Sequence, residues 1–419
     1  MSGSARAFPE GFLFGAATSA HQVEGFNRHS DWWQAEEAGR LPFRSGAACR
    51  HFELYPHDFD LARTFGHNAH RLSVEWSRIE PAPGRFDEAA LRHYHTVVQA
   101  LRARGLEPVV TLQHFTLPHW AAADGGWLGG EQHIHRFLRY VERVVEALAP
   151  EVRLWLTVNE PTVYAKRAYV AGDWPPFRRR NWAAAARVVA AMMRAHRRAY
   201  ALIHRHRPDA LVGFAHSAPY VMPRNPGSLR DRRAALGRDL LLNRLPLALA
   251  GRRFLDLLGI NYYTRALVHG RARGLARLWG ADWPGEDGEG PRRYSDLGWE
   301  IYPRGLGRLL RRFAALGVPL LVSENGLATR DEELRVRFLL DHLGEVAAAL
   351  RAGVPVIGYL WWSLMDNYEW AEGFAPRFGL FAVDYATQAR SPRPAAHVFA
   401  RICRTRRLPD PAQGHGPGP

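Results

Sequence analysis

Hydrophobic and β-branched positions gather into eight short runs, at 11–19, 70–76, 108–115, 154–159, 211–217, 254–263, 318–323 and 355–364. Runs of this length with few charges read as strands buried on both faces, as in a parallel sheet. Most intervals between them hold a longer stretch with apolar residues three and four positions apart, the spacing of a helix that buries one face. Examples are 87–105, 131–150 and 331–353. Each begins near an acidic residue and stops at Gly or Pro, where helix dipole and end geometry favour those residues. Strands alternating with helices, without a linker of domain size, predict an α/β fold: a single (β/α)8 TIM barrel with long loops on its C-terminal face. One domain over 1–419 is expected, with a poorly ordered tail near 409–419. The less patterned segments 30–56, 218–240 and 266–300 are expected as insertions on the face where the strands end. Within the last, WPGEDGEG at 283–290 sets glycines among acids and predicts a mobile loop.

At 419 residues and 47% hydrophobic content the chain can bury a large core, so the barrel is affordable in size. Lys and Arg number 56 against 41 Asp and Glu, giving a net charge of +15. The arginines are spread through 92–104, 187–207 and 304–312 without interleaved aromatics, which reads as a solvated basic surface and not a nucleic-acid site. Lys166 is the only lysine. No run of 18 apolar residues occurs, so no membrane partner is expected, and MSGSARAFPE lacks the apolar stretch of a signal peptide, so a cytoplasmic location is expected. Cys49 and Cys403 lack metal-ligand spacing and read as free thiols. His57, His67 and His70 lack the paired pattern of a zinc helix, and no metal or cofactor is expected.

Polar groups at the strand ends change the picture from fold to chemistry. Glu160 follows the apolar run in LWLTVNEP (154–161) and Glu324 the run in PLLVSENG (319–326). Carboxyl side chains are almost never buried without a partner, so two of them at barrel strand ends predict a pair of acids at one mouth. Gln22 follows the first strand, Arg71 and Trp76 lie on the second, His114 ends the third, and Asn159 adjoins Glu160. The sixth ends at Asn261, Tyr262 and Tyr263, the seventh at Glu324 and Asn325, and the eighth at Trp362, followed by Asp366, Glu369 and Trp370. The fifth strand offers no comparable group. Amides, carboxylates and imidazole can bind hydroxyls in fixed directions while indoles pack on pyranose faces, so the set describes a sugar site. For glycoside chemistry one acid stays ionised and attacks the anomeric carbon. The other is kept protonated by its neighbour's negative charge and protonates the leaving oxygen. Arg71 and the Tyr263 hydroxyl are candidates to hold the nucleophile ionised; the lesser alternative for Arg71 is that it only neutralises a buried carboxylate. The Asn159 amide is a candidate for the 2-hydroxyl. Carboxyls about 5 Å apart give retention, and a gap beyond about 6.5 Å gives inversion. Trp32, Trp33, His119, Trp120 and Trp127 read as loop anchors at least as readily as aglycone contacts.

Seven segments in order carry a family resemblance: FLFGAATSAHQVEG (12–25), HRLSVEWSRIEP (70–81), TLQHFTLPHW (111–120), LTVNEP (156–161), GINYYT (259–264), SENG (323–326) and WWSLMDNYEWAEGF (361–374). Over nearly its whole length the chain resembles glycoside hydrolase family 1, of the β-glucosidase and β-glycosidase type. The resemblance implies a retaining mechanism with Glu160 as acid/base and Glu324 as nucleophile. It places Gln22, His114, Asn159, Glu369 and Trp370 around the glycone, Trp362 as the platform under it, and Tyr263 near the nucleophile. Members acting on 6-phosphorylated sugars usually carry serine where Glu369 stands, so the implied substrates are small unphosphorylated β-glycosides or oligosaccharides, with terminal glucosyl, galactosyl or fucosyl residues. The thioglucosidases usually carry glutamine where Glu160 stands, which favours O-glycosides.

Three positions depart from the common family pattern. Phe115 stands where tryptophan is usual, Val158 where phenylalanine is, and Ser323 where threonine is. The first removes an indole N–H donor and the others alter packing. A transglycosylating enzyme shares every residue named, and a noncatalytic sugar-binding barrel is expected to lose one glutamate, whereas both are present. The sequence leaves oligomeric state open.

Overall fold

The computed structural model describes residues 7–271, 279–283 and 292–409. The loop expected at 283–290 lies outside these apart from Trp283, as does the tail beyond 409. Eight parallel strands close a barrel: β1 (Leu13–Ala17), β2 (Ala69–Ser73), β3 (Glu107–Thr111), β4 (Leu154–Asn159), β5 (Leu211–Ser217), β6 (Leu258–Asn261), β7 (Leu320–Asn325) and β8 (Val356–Trp362). Each pairs with its neighbour in sequence, and β8 closes on β1 with Ala17 opposite Trp362. This is the (β/α)8 TIM barrel that the alternating pattern predicts.

Every residue of β4 and β7 is buried, because the barrel interior covers one face and the helices the other. Ala17, Val109, Leu156, Ala215, Leu321 and Leu360 belong to a core inside the barrel that reaches Trp362. A larger core lies between strands and helices. The helices Glu88–Ala103, Gly130–Leu148 and Glu332–Arg351 fall where spacing predicts them. Asp87 and Asp331 cap two of these by accepting from backbone N–H groups, of Ala89 and Ala90 in one case and Leu334 in the other. Val158 is fully buried in the outer core, so its departure from the family pattern is one of packing.

Irregular pairing occurs where the acids sit. The β4–β5 register shifts between Leu156 and Asn159, and that of β7 shifts between Val322 and the Glu324–Asn325 end against both neighbours. Such shifts re-aim side chains at a barrel rim. Beyond β7, a Cβ on Gly326 would lie 1.9 Å from the Trp362 carbonyl oxygen, so only glycine permits the approach of β7 and β8 there.

The insertions are more ordered than their weak patterning predicts. Tyr220–Pro223, Arg265–His269 and Ala281–Asp282 form a separate three-stranded sheet, and Leu229–Asp239 is helical. Two- to five-residue strands are too short to show a period. Trp76 also differs from expectation, since it begins the short helix Trp76–Ile79, stacks on Tyr140 and donates to Glu80 at 2.9 Å. Tyr262, Asn325 and Asp366 likewise hold structure together away from the mouth. Tyr262 donates to the Tyr302 carbonyl, Asn325 to the Tyr262 carbonyl, and Asp366 accepts from Arg393 and Gly379. Among the described residues no helix is long and apolar enough to cross a membrane.

Candidate active site

A cavity of about 480 Å³ opens at the carboxyl ends of the strands. Gln22, His114, Glu160, Tyr263, Glu324, Trp362, Glu369 and Trp370 all face it, brought together from both ends of the chain by barrel closure. Arg71 and Asn159 are fully buried directly behind this wall.

Both oxygens of Glu324 are held. Arg71 Nη1 donates to Oε1 at 2.5 Å and the Tyr263 hydroxyl donates to Oε2 at 2.6 Å. Arg71 is itself fixed, with Nε donating to Thr111 Oγ1 at 2.9 Å and Nη2 to Asn159 Oδ1 at 2.6 Å. Burial raises the Tyr263 hydroxyl well above its ordinary range, with the Glu324 charge adding to the rise, so it stays a donor. Burial also pushes the Glu324 carboxyl up, and the Arg71 cation and these donors pull against that push.

Glu160 turns the chain from β4 into the helix Pro161–Lys166 with φ 43°, a left-handed conformation that a glutamate rarely adopts. Its N–H donates to the Ala215 carbonyl of β5 at 2.8 Å, and Pro161 sets the first helical position. The carboxyl accepts from Asn261 Nδ2 at 3.0 Å, and the Ser217 hydroxyl, also in the cavity wall, favours its charged form. Burial raises its pKa to about 8, and the charge of Glu324 is the second cause. The sequence reading named the neighbour's charge as the reason, and burial is the larger one. Arg71, directly on Glu324, favours the charged form of that carboxyl more strongly than any cation does for Glu160. Asn261 Nδ2 also donates to Asn159 Oδ1 at 3.2 Å, and the amide lies close enough to Glu324 to favour that carboxyl's charged form.

A chain of hydrogen bonds fixes what the sugar end of the cavity can offer. Arg71 donates to Asn159 Oδ1, which orients that amide so that Nδ2 donates to His114 Nε2 at 3.2 Å. Burial and the Arg71 cation hold the His114 imidazole far below its ordinary range, so it is neutral. A neutral ring that accepts at Nε2 carries its proton on Nδ1, and Nδ1 is buried without a partner among the described residues. Gln22 Nε2 donates to Tyr368 O at 2.9 Å and to Glu369 Oε2 and Asn367 Oδ1 at 3.1 Å. This leaves Gln22 Oε1 an unpartnered buried acceptor. A donor on His114 and an acceptor on Gln22 are what a hydroxyl needs. Burial, then the Glu324 charge, raises the Glu369 carboxyl to about 8.

Trp362 lies nearly parallel to His114, ring centroids 6.0 Å apart. Trp370, at φ 50°, is wedged by Trp32 at 4.7 Å, His21 at 5.5 Å and Phe115 at 5.3 Å. Trp32 therefore supports Trp370 from behind, Trp127 packs on His133, and Trp120 donates to the Glu80 carbonyl. None of Trp32, Trp33, His119, Trp120 and Trp127 is among the residues lining the cavity; Trp32, Trp120 and Trp127 serve as anchors, whereas His119 is exposed. Phe115, in the usual place of an indole, faces the cavity and packs on Trp174 at 4.8 Å. Ser323 keeps a hydroxyl, which donates to Asn261 Oδ1 at 2.7 Å and orients the amide that Glu160 needs.

Asn261 and Ser217 are functional residues that sequence reasoning passed over. Asn261 stood among the strand-end residues without a role. Ser217 ends β5, the strand thought to contribute nothing, and serine is too common for its position to stand out. The Ser217 hydroxyl favours the charged form of Glu160 and lowers that pKa. Ser217→Ala is expected to move the alkaline limb of kcat/KM to higher pH, which a pH–rate profile on an aryl β-glucoside reads directly.

Two buried carboxyls at the C-terminal face of a closed barrel, beside a sugar-sized cavity of amides, imidazole and indoles, define a barrel glycosidase. The chain matches the pattern of glycosyl hydrolase family 1 over residues 4–245 and 247–408. A β-glycosidase from Pyrococcus horikoshii superposes with a TM-score of 0.90 at 40% identity, covering 96% of both chains. The family 1 β-glucosidase from Thermotoga maritima gives 0.88 at 28% identity, covering 97% of this chain and 99% of that one. A rice protein named beta-glucosidase-like SFR2, chloroplastic is 32% identical over 84% of this chain, which spans 55% of that relative's length. The chain belongs to glycosyl hydrolase family 1 and is a β-glycosidase of that family.

Proposed function

We propose that the protein is a retaining, exo-acting β-glycosidase that removes terminal nonreducing β-D-glucosyl, and also galactosyl or fucosyl, residues from small O-glycosides. The observation that carries this is the asymmetry of the two carboxyls: Glu324 gripped by Arg71 and Tyr263, Glu160 buried and raised to about 8. Ionised Glu324 attacks the anomeric carbon as the bond to the leaving oxygen breaks, and Glu160 gives its proton to that oxygen. Water then attacks the same carbon, Glu160 takes the water's proton, and Glu324 leaves. Glu324, held by Arg71 and Tyr263 as a charged carboxylate and felt electrostatically by Glu160, is suited to attack the anomeric carbon itself, which supports retention. His114 Nδ1–H and Gln22 Oε1 bind glycone hydroxyls, Glu369 adds a further partner, and Trp362 underlies the ring. Asn159 acts through Arg71 and His114, beneath the wall. Unphosphorylated sugars fit best, because the carboxyl of Glu369 lines the cavity at the position where members acting on 6-phosphorylated sugars usually carry serine. The free thiols Cys49 and Cys403 suit a cytoplasmic setting.

Initial rates on p-nitrophenyl β-D-glucoside, galactoside, fucoside, mannoside and glucoside 6-phosphate test this reading. Turnover of the first three with little on the phosphate is expected. Preferred cleavage of the 6-phosphate, or no release from any of them, overturns it.

A further inference from the structure

The segment after β5 exposes an unusual amount of leucine. Leu229, Leu236, Leu240, Leu241 and Leu245 are 64, 50, 44, 42 and 41% exposed, all within the helical stretch 229–250. Single exposed leucines need no explanation, but five within 17 positions of one helical stretch are a concentration of the kind that marks an interaction surface.

The charge around the patch says what would cover it. Arg232 and Arg233 are exposed between the leucines, with no ion pair among the described residues. The acids of the same helix face inward. Asp239 is paired with Arg244 and Arg312, and buried Asp231 accepts from the Gly270 N–H. Arg238 ties the helix to the Trp279 carbonyl at 2.9 Å, and Trp279 packs on Trp182, itself 49% exposed, at 4.9 Å. Exposed leucines and unpaired arginines along one helical stretch, with an indole pair tied to it through Arg238, are the composition of a helix that lies in a lipid interface. A second copy of the chain is a poorer occupant, because a two-fold contact centred here brings Arg232 and Arg233 against themselves in a molecule of net charge +15.

From this surface we infer that the 229–250 stretch is a peripheral docking face for an anionic lipid bilayer. This departs from the sequence expectation of no membrane partner, which rested on the lack of a spanning run, because attachment to one leaflet needs only an exposed apolar and basic face. The face is continuous with the active site. Leu242, from the same stretch, lines the outer cavity wall together with Leu297 and Trp299. Docking therefore sets the mouth beside the lipid, where glycosides with apolar aglycones concentrate. That substrate consequence rests on the glycosidase reading, whereas attachment to the bilayer does not.

The test is co-sedimentation of the full chain with phosphatidylcholine vesicles and with vesicles that also contain phosphatidylglycerol. Wild type is expected to sediment with the mixed vesicles and not with phosphatidylcholine alone. The triple variant Leu236→Ser, Leu240→Ser, Leu241→Ser and the double variant Arg232→Gln, Arg233→Gln are each expected to lower the bound fraction by roughly tenfold. Both variants are expected to cleave p-nitrophenyl glucoside as wild type does, which shows that they are folded. Absence of binding to the mixed vesicles overturns the inference. So does undiminished binding of the leucine variant, which reduces the effect to adsorption by the basic surface. Light scattering that shows a dimer dissolved by the leucine substitutions also overturns it and assigns the face to self-association.

Discussion

Replacing Glu324 with glutamine is expected to lower kcat on an aryl β-glucoside by at least roughly 10⁴-fold, because an amide of the same shape cannot form the glycosyl ester. The substitution also leaves Arg71 with no anion at Nη1, and a buried guanidinium without its counter-ion costs about 3–5 kcal/mol, so the melting temperature should fall as well. Activity and stability therefore need to be separated. Glu324→Ala with added azide does this chemically. Azide in the vacated space attacks the anomeric carbon once, opposite the leaving group, and gives the α-glycosyl azide. Glu160→Ala with azide instead gives the β-glycosyl azide, because the anion intercepts a glycosyl-enzyme already inverted once. NMR of the two products assigns the roles, and an α product from the Glu160 variant would exchange them.

The barrel was legible because strands buried on both faces are continuous apolar runs. β4 and β5 occupy the residues their patterns predict, and the other strands lie within or overlap theirs. The sheet formed by Tyr220–Pro223, Arg265–His269 and Ala281–Asp282 was not legible, since its order comes from pairing between distant segments and not from a local period. The same distinction divides the site. Glu160 and Glu324 announce themselves as charges ending apolar runs. Asn261 and Ser217 gain their importance from lying beside Glu160, a relation set by barrel closure across β4, β5 and β6. The protonation of Glu160 was expected from charge repulsion, yet burial is the larger cause, and burial of one side chain is a property of the assembled loops. The free donor on His114 is a further step removed. It follows from Arg71 orienting Asn159 and Asn159 selecting the ring tautomer, with two of the residues on β2 and β4 and the third just beyond β3.

Glu160→Gln is expected to have an effect that depends on the leaving group, because the first step loses only proton donation. An alkyl glucoside, whose departing oxygen needs that proton, should lose roughly 10²–10⁴-fold in kcat/KM, while a dinitrophenyl glucoside should lose far less. The second step loses its base for every substrate. Dinitrophenol should then appear in a burst equal to the enzyme present, with mass spectrometry finding one glycosyl group per chain. The pH profile supplies the sign. The neutral carboxyl is the active form of Glu160 in the first step, and burial holds its pKa at about 8. Wild-type kcat/KM should therefore be sustained below that value and fall as pH rises through it, provided Glu324 stays ionised at the pH where the plateau is read. Glutamine has no proton to lose, so the variant's alkaline limb should disappear. A limb that persists near 8 in Glu160→Gln would have to belong to Glu369, which is raised to the same value, and would move the pH control of the enzyme from the leaving group to the glycone.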